Sequence, residues 1–293
     1  MKRVLITGAN SYIGMSFERY AKEHYGNNFE IDTIDMQNPN WREANFSKYD
    51  VVFHVAGIAH SDNGKISAER EKLYYAVNTD LTIETAKKAK AEKVKQFIFM
   101  SSAIVYGDSA PIGKKKVITK DTPVSPANCY GDSKVQAENG IRPLNNSNFK
   151  VVILRPPMIY GKGSKGNYPL LSNIAQKIPV FPYVENERSM LYIENLCEFI
   201  CLMIKNNEEG IFWPQNNEYV NTSELVKVIA KAHGKKVILI KGFSWMLKLL
   251  SCVMGLVNKA FGNLSYDMGI SRYKENYSFY DLEKTIERTE KII

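Results

Sequence analysis

Cysteine is scarce in this chain. There are 4 among 293 residues, and Cys129, Cys197, Cys201 and Cys252 fall at scattered spacings with no C-x-x-C pair. Such a set builds neither a disulfide framework nor a zinc site, so reduced thiols in a cytoplasmic protein are expected, with no metal. Long apolar runs are lacking too. Nothing reaches the roughly eighteen uninterrupted apolar residues of a membrane span. The opening Met1-Lys2-Arg3-Val4-Leu5-Ile6-Thr7 is too short in its apolar stretch for a signal peptide. Integral-membrane and secreted classes are set aside on these grounds. Acidic residues are in deficit, with 31 Asp and Glu against 39 Lys and Arg for a net charge of +8. The lysine runs (Lys87-Lys88-Ala89-Lys90, Lys114-Lys115-Lys116, Lys231 to Lys241) carry no interleaved aromatic platform. They read as solvated faces rather than a nucleic-acid surface. The excess suits a phosphate-bearing small molecule or contact with an anionic membrane surface.

What is present is a globular composition, 44% hydrophobic and 24% charged, in a chain long enough to bury a core without disulfides. Short apolar, β-branched runs recur at Arg3–Thr7, Phe29–Ile34, Val51–Val55, Gln96–Met100 and Lys150–Leu154. Helical periodicity intervenes near Tyr12–His24 and near Tyr74–Ala91. This alternation predicts an α/β fold with a doubly wound parallel sheet, the Rossmann arrangement. After Arg155-Pro156-Pro157 the rhythm breaks into glycine- and proline-rich loops. The expected division is a dinucleotide-binding domain over 1–160, to which 190–215 returns through a helix near Ile193–Lys205, and a smaller C-terminal substrate-binding lobe over 161–293. Phe243–Gly262 is unusually apolar and reads as a packing helix, a dimer contact or an interfacial membrane helix.

Thr7-Gly8-Ala9-Asn10-Ser11-Tyr12-Ile13-Gly14 lies between the first strand and the first helix, the context that a dinucleotide fingerprint requires. Gly8 permits the tight turn, Gly14 lets the helix approach the sheet, and the helix N-terminus offers N–H groups to a pyrophosphate. Ser11 stands where a glycine is usual. Asp35 ends the second strand, about twenty residues on, where a carboxylate accepts from ribose hydroxyls and favours NAD over NADP. Arg42, nearby, would suit a 2′-phosphate.

Tyr130 and Lys134 are spaced i, i+4 and share one helix face. Tyr280 and Lys284 have the same spacing, so spacing alone does not choose between the pairs. Context does, because Tyr130 follows the fourth strand, whose end carries Ser101-Ser102-Ala103-Ile104-Val105-Tyr106-Gly107. Ligands in open α/β sheets bind outside the strands' carboxyl ends. Removing hydride from a carbinol needs a base for its hydroxyl proton, and a tyrosine near pKa 10 is a poor one at neutral pH. An adjacent ammonium and an oxidised nicotinamide would favour phenolate. A drop of roughly three units corresponds to about 4 kcal/mol.

Together the Thr7–Gly14 loop, Asp35, the Ser102 motif, Tyr130-x-x-x-Lys134 and Leu154-Arg155-Pro156 resemble the extended short-chain dehydrogenase/reductases. More narrowly they resemble the NAD-dependent nucleotide-sugar epimerase/dehydratase family, of the UDP-glucose 4-epimerase kind. The resemblance implies that Tyr130 is the acid/base and that Lys134 holds the nicotinamide ribose and lowers the Tyr130 pKa. Ser102 would bond the reacting sugar oxygen, and His54-Val55-Ala56-Gly57 would run along the cofactor, with Asn78 a structural asparagine. It also implies a homodimer.

Family 4,6-dehydratases carry an Asp-Glu pair directly after the serine or threonine; here Ala103 and Ile104 stand there, which disfavours dehydration. Asn167-Tyr168-Pro169-Leu170 and Val180-Phe181-Pro182 resemble segments that hold the diphosphate and uracil of UDP-sugars. Arg188 resembles the family's phosphate-pairing arginine, with Ser189 in place of the following aspartate. The expected activity is therefore 4-epimerisation of a UDP-hexose through a transient 4-keto sugar. A nucleotide-4-ketohexose reductase using NAD(P)H is the alternative that the modest chain length keeps open, and a non-catalytic dinucleotide-binding module is a third. His54 is expected to be a satisfied buried histidine, Cys197 and Cys201 core residues, and His60 a residue that could line the cleft.

Overall fold

The computed structural model describes residues 1–58, 66–242 and 261–291. His60, Cys252 and nearly all of the apolar segment 243–262 lie outside them. Two compact units are present. The first comprises Met1–Gly107, Pro123–Pro156 and Leu196–Pro214; the second comprises Asp108–Thr122, Pro157–Asn195 and Gln215–Ile293.

The first unit is built on six parallel strands, β1 (Lys2–Thr7), β2 (Phe29–Ile34), β3 (Val51–His54), β4 (Gln96–Met100), β6 (Lys150–Leu154) and β10 (Gly210–Phe212), with β5 (Val117–Ile118) lying in the second unit. Their order across the sheet is β10-β6-β4-β3-β1-β2. The chain leaves β1 to build β2 on one side and then returns to build β3 on the other. That reversal makes a topological switch point at the carboxyl ends of β1 and β3.

Alternation along each strand explains the layers. Val52 and His54 face one side, where Phe97, Phe99, Phe149, Val151 and Ile153 pack with Ala86, Ala89, Ala137 and Ile141. Those alanines and Ile141 come from α3 (Leu81–Ala91) and α4 (Cys129–Ile141). Phe53 points the other way and meets Phe17 of α1 (Tyr12–Tyr25) edge-on at 5.3 Å. On α6 (Ile193–Lys205), Glu198 accepts from Tyr20 Oη at 3.0 Å and Tyr25 Oη at 2.7 Å, tying α6 to α1. Helices therefore cover both faces, the doubly wound arrangement that the strand–helix alternation predicts.

The helix before β4 differs from expectation. It starts at Ala68 as α2 (Ala68–Tyr74), capped by the Ser67 side chain, and passes through a π-helical turn (Tyr75–Asp80) into α3. The first turn, Ala68-Glu69-Arg70-Glu71-Lys72, is polar and shows no apolar stripe. β3 likewise ends at His54, because the N–H groups of Val55 and Ala56 both turn to Thr7 O. Cys197 and Cys201 are buried core residues.

The second unit contains β5 (Val117–Ile118), β7 (Met158–Tyr160), β8 (Val180–Pro182), β9 (Met190–Tyr192), β11 (Ile238–Ile240) and β12 (Ser265–Tyr266). They pair as three two-stranded parallel ladders, β11-β8, β12-β5 and β7-β9. Its helices include α5 (Asn167–Lys177) and α7 (Thr222–Ala232), with α8 (Met268–Ser271) and α9 (Leu282–Glu290) near the C-terminus. Ser189, the departure noted above, has a structural use: its Oγ donates to Gln215 Oε1 and accepts from Tyr266 N at 2.8 Å.

His54 is fully buried, and its ring nitrogens meet Thr7 Oγ1 at 2.7 Å and Thr82 Oγ1 at 3.1 Å. Burial pushes its imidazole down from 6.5 to about 3, with Lys134 adding to the effect. Below about pH 6.5 the unfolded chain takes up a proton that the folded chain refuses. Stability therefore falls between about pH 6.5 and pH 3, by at most about 1.4 kcal/mol per unit. His54→Gln is expected to flatten that slope, so the gap between urea midpoints at pH 7 and pH 4.5 narrows. An unchanged gap contradicts the assignment.

Candidate active site

The first half of the site is backbone. Gly8 sits at φ +120°, and a Cβ there would lie 2.7 Å from Ala56 N. The turn after β1 and the segment after β3 thus touch at the switch point, and only glycine fits. Asn10 takes the other left-handed position at φ 62°, which asparagine tolerates. Ser11 is extended, at φ −72° and ψ 141°, and caps α1 by accepting from Gly14 N at 3.2 Å. Its side chain is therefore a cap, and no glycine is needed there. A Cβ on Gly14 would meet Ser11 Oγ at 2.6 Å and Ile6 Cγ2 at 3.1 Å, so glycine sets the approach of helix to sheet. Tyr12 and Ile13 form the first turn of α1. This turn, its helix N-terminus and the exposed Asp35 just past β2 form a cradle that fits a dinucleotide. Arg42 is committed elsewhere: Nη2 donates to Glu84 Oε2 at 2.7 Å, and the guanidinium stacks over Trp41.

The second half is built on α4. Asn128 caps it by accepting from Gly131 N at 2.9 Å, and Tyr130 and Lys134 follow on one face. Ser102, at the end of the β4 segment, accepts from Ile104 N at 3.3 Å and lies beside the Tyr130 phenol. Lys134 is buried, donates to Met100 O at 2.9 Å and lies 4.7 Å from the Phe99 ring centre. A Cβ on Gly57 would sit 3.3 Å from Lys134 Nζ, so the segment after β3 and the lysine share one corner. Asn78, in the π turn, fixes that corner. Its Oδ1 accepts from Ile58 N at 2.8 Å, and its Nδ2 donates to Ile58 O and Ser133 Oγ, both at 3.1 Å. Tyr280, by contrast, precedes α9 and is exposed, so it shares no helix with Lys284.

Electrostatics differ from the sequence expectation. Burial pushes Tyr130 up to about 12, opposed by the neighbouring Ser102 hydroxyl, with Tyr74 adding to the rise. Burial also brings Lys134 down to about 8, opposed by Glu138. In the chain by itself desolvation outweighs the help from the Ser102 hydroxyl, so Tyr130 is a neutral phenol at pH 7. Sequence reasoning also missed Glu138 and Ser101. Extending the i, i+4 stripe one step past Lys134 would have found the glutamate.

In the second unit, Asn167 opens α5 and is exposed, as is Val180. Phe181 is buried and stacks on Phe261 at 5.5 Å. Arg188 exchanges backbone hydrogen bonds with Val220, and burial lowers its guanidinium to about 10. Among the described residues no group of three or more His, Cys, Asp and Glu could hold a metal, and no helix is long and apolar enough to cross a membrane.

Residues 4–213 match the model of the NAD dependent epimerase/dehydratase family. The chain belongs to that family. It is 31% identical over 299 residues to a UDP-glucose 4-epimerase of Vibrio cholerae, covering 94% of this chain and 89% of that protein. It is 29% identical over 256 residues, 80% of this chain and 73% of the other, to an N-acetyl-α-D-glucosaminyl-diphospho-ditrans,octacis-undecaprenol 4-epimerase of Escherichia coli O157:H7. Among solved structures, the UDP-glucuronic acid 4-epimerase of Bacillus cereus with NAD superposes at TM-score 0.69 and 17% identity, covering 98% and 94% of the two chains. The dTDP-4-dehydrorhamnose reductase of Bacillus anthracis with NADP gives 0.69 and 18%, covering 99% and 98%. These two likenesses show the fold. The enzyme is thus an NAD-dependent epimerase/dehydratase family member with a Rossmann sheet.

Gly14→Val is expected to weaken NAD binding by at least about tenfold, because the added atoms push Ser11 and the helix off the sheet. Fluorescence titration with NADH measures it, with circular dichroism reporting the fold. Undiminished affinity in a folded variant contradicts the cradle.

Proposed function

We propose that this protein is an NAD-dependent 4-epimerase of a nucleotide sugar, a UDP-hexose in the first instance. The observation that carries the reading is the convergence of Tyr130 and Lys134, one turn apart on α4, with Ser102 at the carboxyl end of β4 and Gly57 after β3. When bound, NAD supplies a hydride acceptor and donor for C4 of the sugar. Ser102 holds the O4 oxygen and Tyr130 takes its proton. Lys134, beside Gly57, bonds the nicotinamide ribose, and its ammonium together with the positive charge of the bound oxidised cofactor favours the phenolate over the neutral phenol of the chain alone. Gly8, Asn10, Ser11, Tyr12, Ile13, Gly14, Asp35, Ala56 and Gly57 make the cofactor's bed, and unit one is the dinucleotide domain.

In the second unit, Asn167, Val180 and Phe181 are assigned to the diphosphate and uracil of a UDP-sugar and Arg188 to its phosphate. A guanidinium whose charge is penalised by burial gains most from a phosphate partner. Anchoring by the diphosphate leaves the 4-keto sugar free to turn, so that the hydrogen returns to its other face. Dehydration is disfavoured, because the positions after Ser102 are the hydrocarbon side chains Ala103 and Ile104. Polysaccharide precursor synthesis in the cytoplasm and assembly as a homodimer belong to the same reading.

Membrane contact is part of the proposal, and one observation favours it. Ile238 and Ile240 of β11 stand 57% and 38% exposed on the small β8–β11 sheet, and the relative from Escherichia coli O157:H7 acts on a polyprenyl-linked sugar. That makes a diphospho-lipid sugar the second substrate to try.

Purified protein incubated with UDP-glucose or UDP-N-acetylglucosamine, without added reductant, is expected to yield the C4 epimer. Tyr130→Phe is expected to lower turnover by about 10³-fold or more while leaving NAD affinity within about twofold. Reduction of a 4-keto sugar with no epimer formed would favour the reductase, and full activity in Tyr130→Phe would remove the acid/base assignment.

A further inference from the structure

One turn beyond Lys134 on the same face of α4 lies Glu138, 2% exposed, so Tyr130, Lys134 and Glu138 form one i, i+4, i+8 stripe. Both carboxylate oxygens are committed. Oε1 accepts from Ser101 Oγ at 2.5 Å and Arg155 Nε at 3.0 Å, and Oε2 accepts from Arg155 Nη2. Arg155 is buried just past β6, and its Nη1 donates to Tyr106 Oη at 2.6 Å. The same phenol accepts from Trp213 Nε1 at 2.7 Å. A buried ion pair of this kind stabilises a fold no better than apolar packing of the same volume. What it supplies here is a fixed negative group one turn from the buried ammonium. It also ties that helix to Ser101, the neighbour of Ser102.

We propose that Glu138 is a positioning residue that keeps Lys134 in its ammonium form at the reacting centre, with Arg155 setting how strongly it does so. The proposal rests on the role given to Lys134 above. The groups facing Lys134 from every side support it. On β3 there is His54, which burial keeps neutral. The β4 end presents the Met100 carbonyl, and α4 itself carries Tyr130, a neutral phenol in the chain alone. Past β6 lies Arg155, whose guanidinium is held by the Glu138 carboxylate. Among the described residues Glu138 is the anion that acts on Lys134, and it opposes the burial that brings the lysine down to about 8. At that value a modest loss of negative charge leaves the lysine largely neutral at pH 7 to 8.

The test is the titration of Lys134 in the full chain, followed by 13C NMR of lysine Cε and assigned by its disappearance in Lys134→Met. Glu138→Gln is expected to lower the midpoint by about one pH unit or more. Arg155→Met is expected to raise it, since the carboxylate then acts unopposed, and Glu138→Asp to keep it near the wild-type value. In turnover, the alkaline limb of the pH profile is expected to move to lower pH in Glu138→Gln and return in Glu138→Asp. If Glu138→Gln does not fold, Arg155→Met carries the test with the opposite sign. A midpoint unmoved in both variants, or a profile lowered uniformly at every pH, overturns the proposal. The NMR titration needs no sugar, so a wild type that titrates as expected yet epimerises nothing counts against the proposed reaction and leaves the role of Glu138 standing.

Discussion

The site is organised around the cost of holding an ammonium ion inside an apolar layer. A lone buried charge costs several kcal/mol unless it is hydrogen-bonded and balanced. Lys134 is 5% exposed and lies over the Phe99 ring. The fold offsets the cost with the Met100 carbonyl at the end of β4, with the face of an aromatic ring and with Glu138 one turn away. The carbonyl and the ring both belong to β4, so the requirement fixes how α4 lies against that strand. Tyr130 and Ser102 then meet as a consequence of that seating.

A second constraint acts at the backbone. At the switch point Gly8 leaves no room for a side chain against Ala56, and Asn78 clamps Ile58 to α4 through Ser133. The loop after β1 and the helix that carries Tyr130 and Lys134 are thereby joined through the segment after β3. The π turn that holds Asn78 interrupts the regular helix, a form that recurs at functional positions. Neutral His54 beneath this corner keeps a second positive charge away from Lys134.

Much of the first unit was legible because β1, β3, β4 and β6 are largely continuous apolar runs buried in the sheet, from Val4-Leu5-Ile6 to Val151-Val152-Ile153, whereas the short, half-exposed β10 gave no such signal. The helix Ile193–Lys205 matched its expected bounds because its apolar pattern is dense. Other features left no local trace. α2 begins in a polar stretch with no stripe, and Asp108–Thr122 leaves the chain's first part for the second unit through contacts distant in sequence. Ser11 and Ser189 read as departures from a family pattern, and the structure shows a helix cap and a cross-tie instead. The high Tyr130 pKa also escaped the sequence, because spacing shows that a lysine is near but not how much water both groups lose.

The central claim is that the hydrogen on C4 of the sugar leaves and returns within one bound complex while Tyr130 exchanges the O4 proton. UDP-glucose carrying deuterium at C4, incubated with the protein in ordinary water, tests it most directly. The account predicts both C4 epimers with the deuterium retained at C4. Loss of the label to solvent, or inversion at a carbon other than C4, would contradict it.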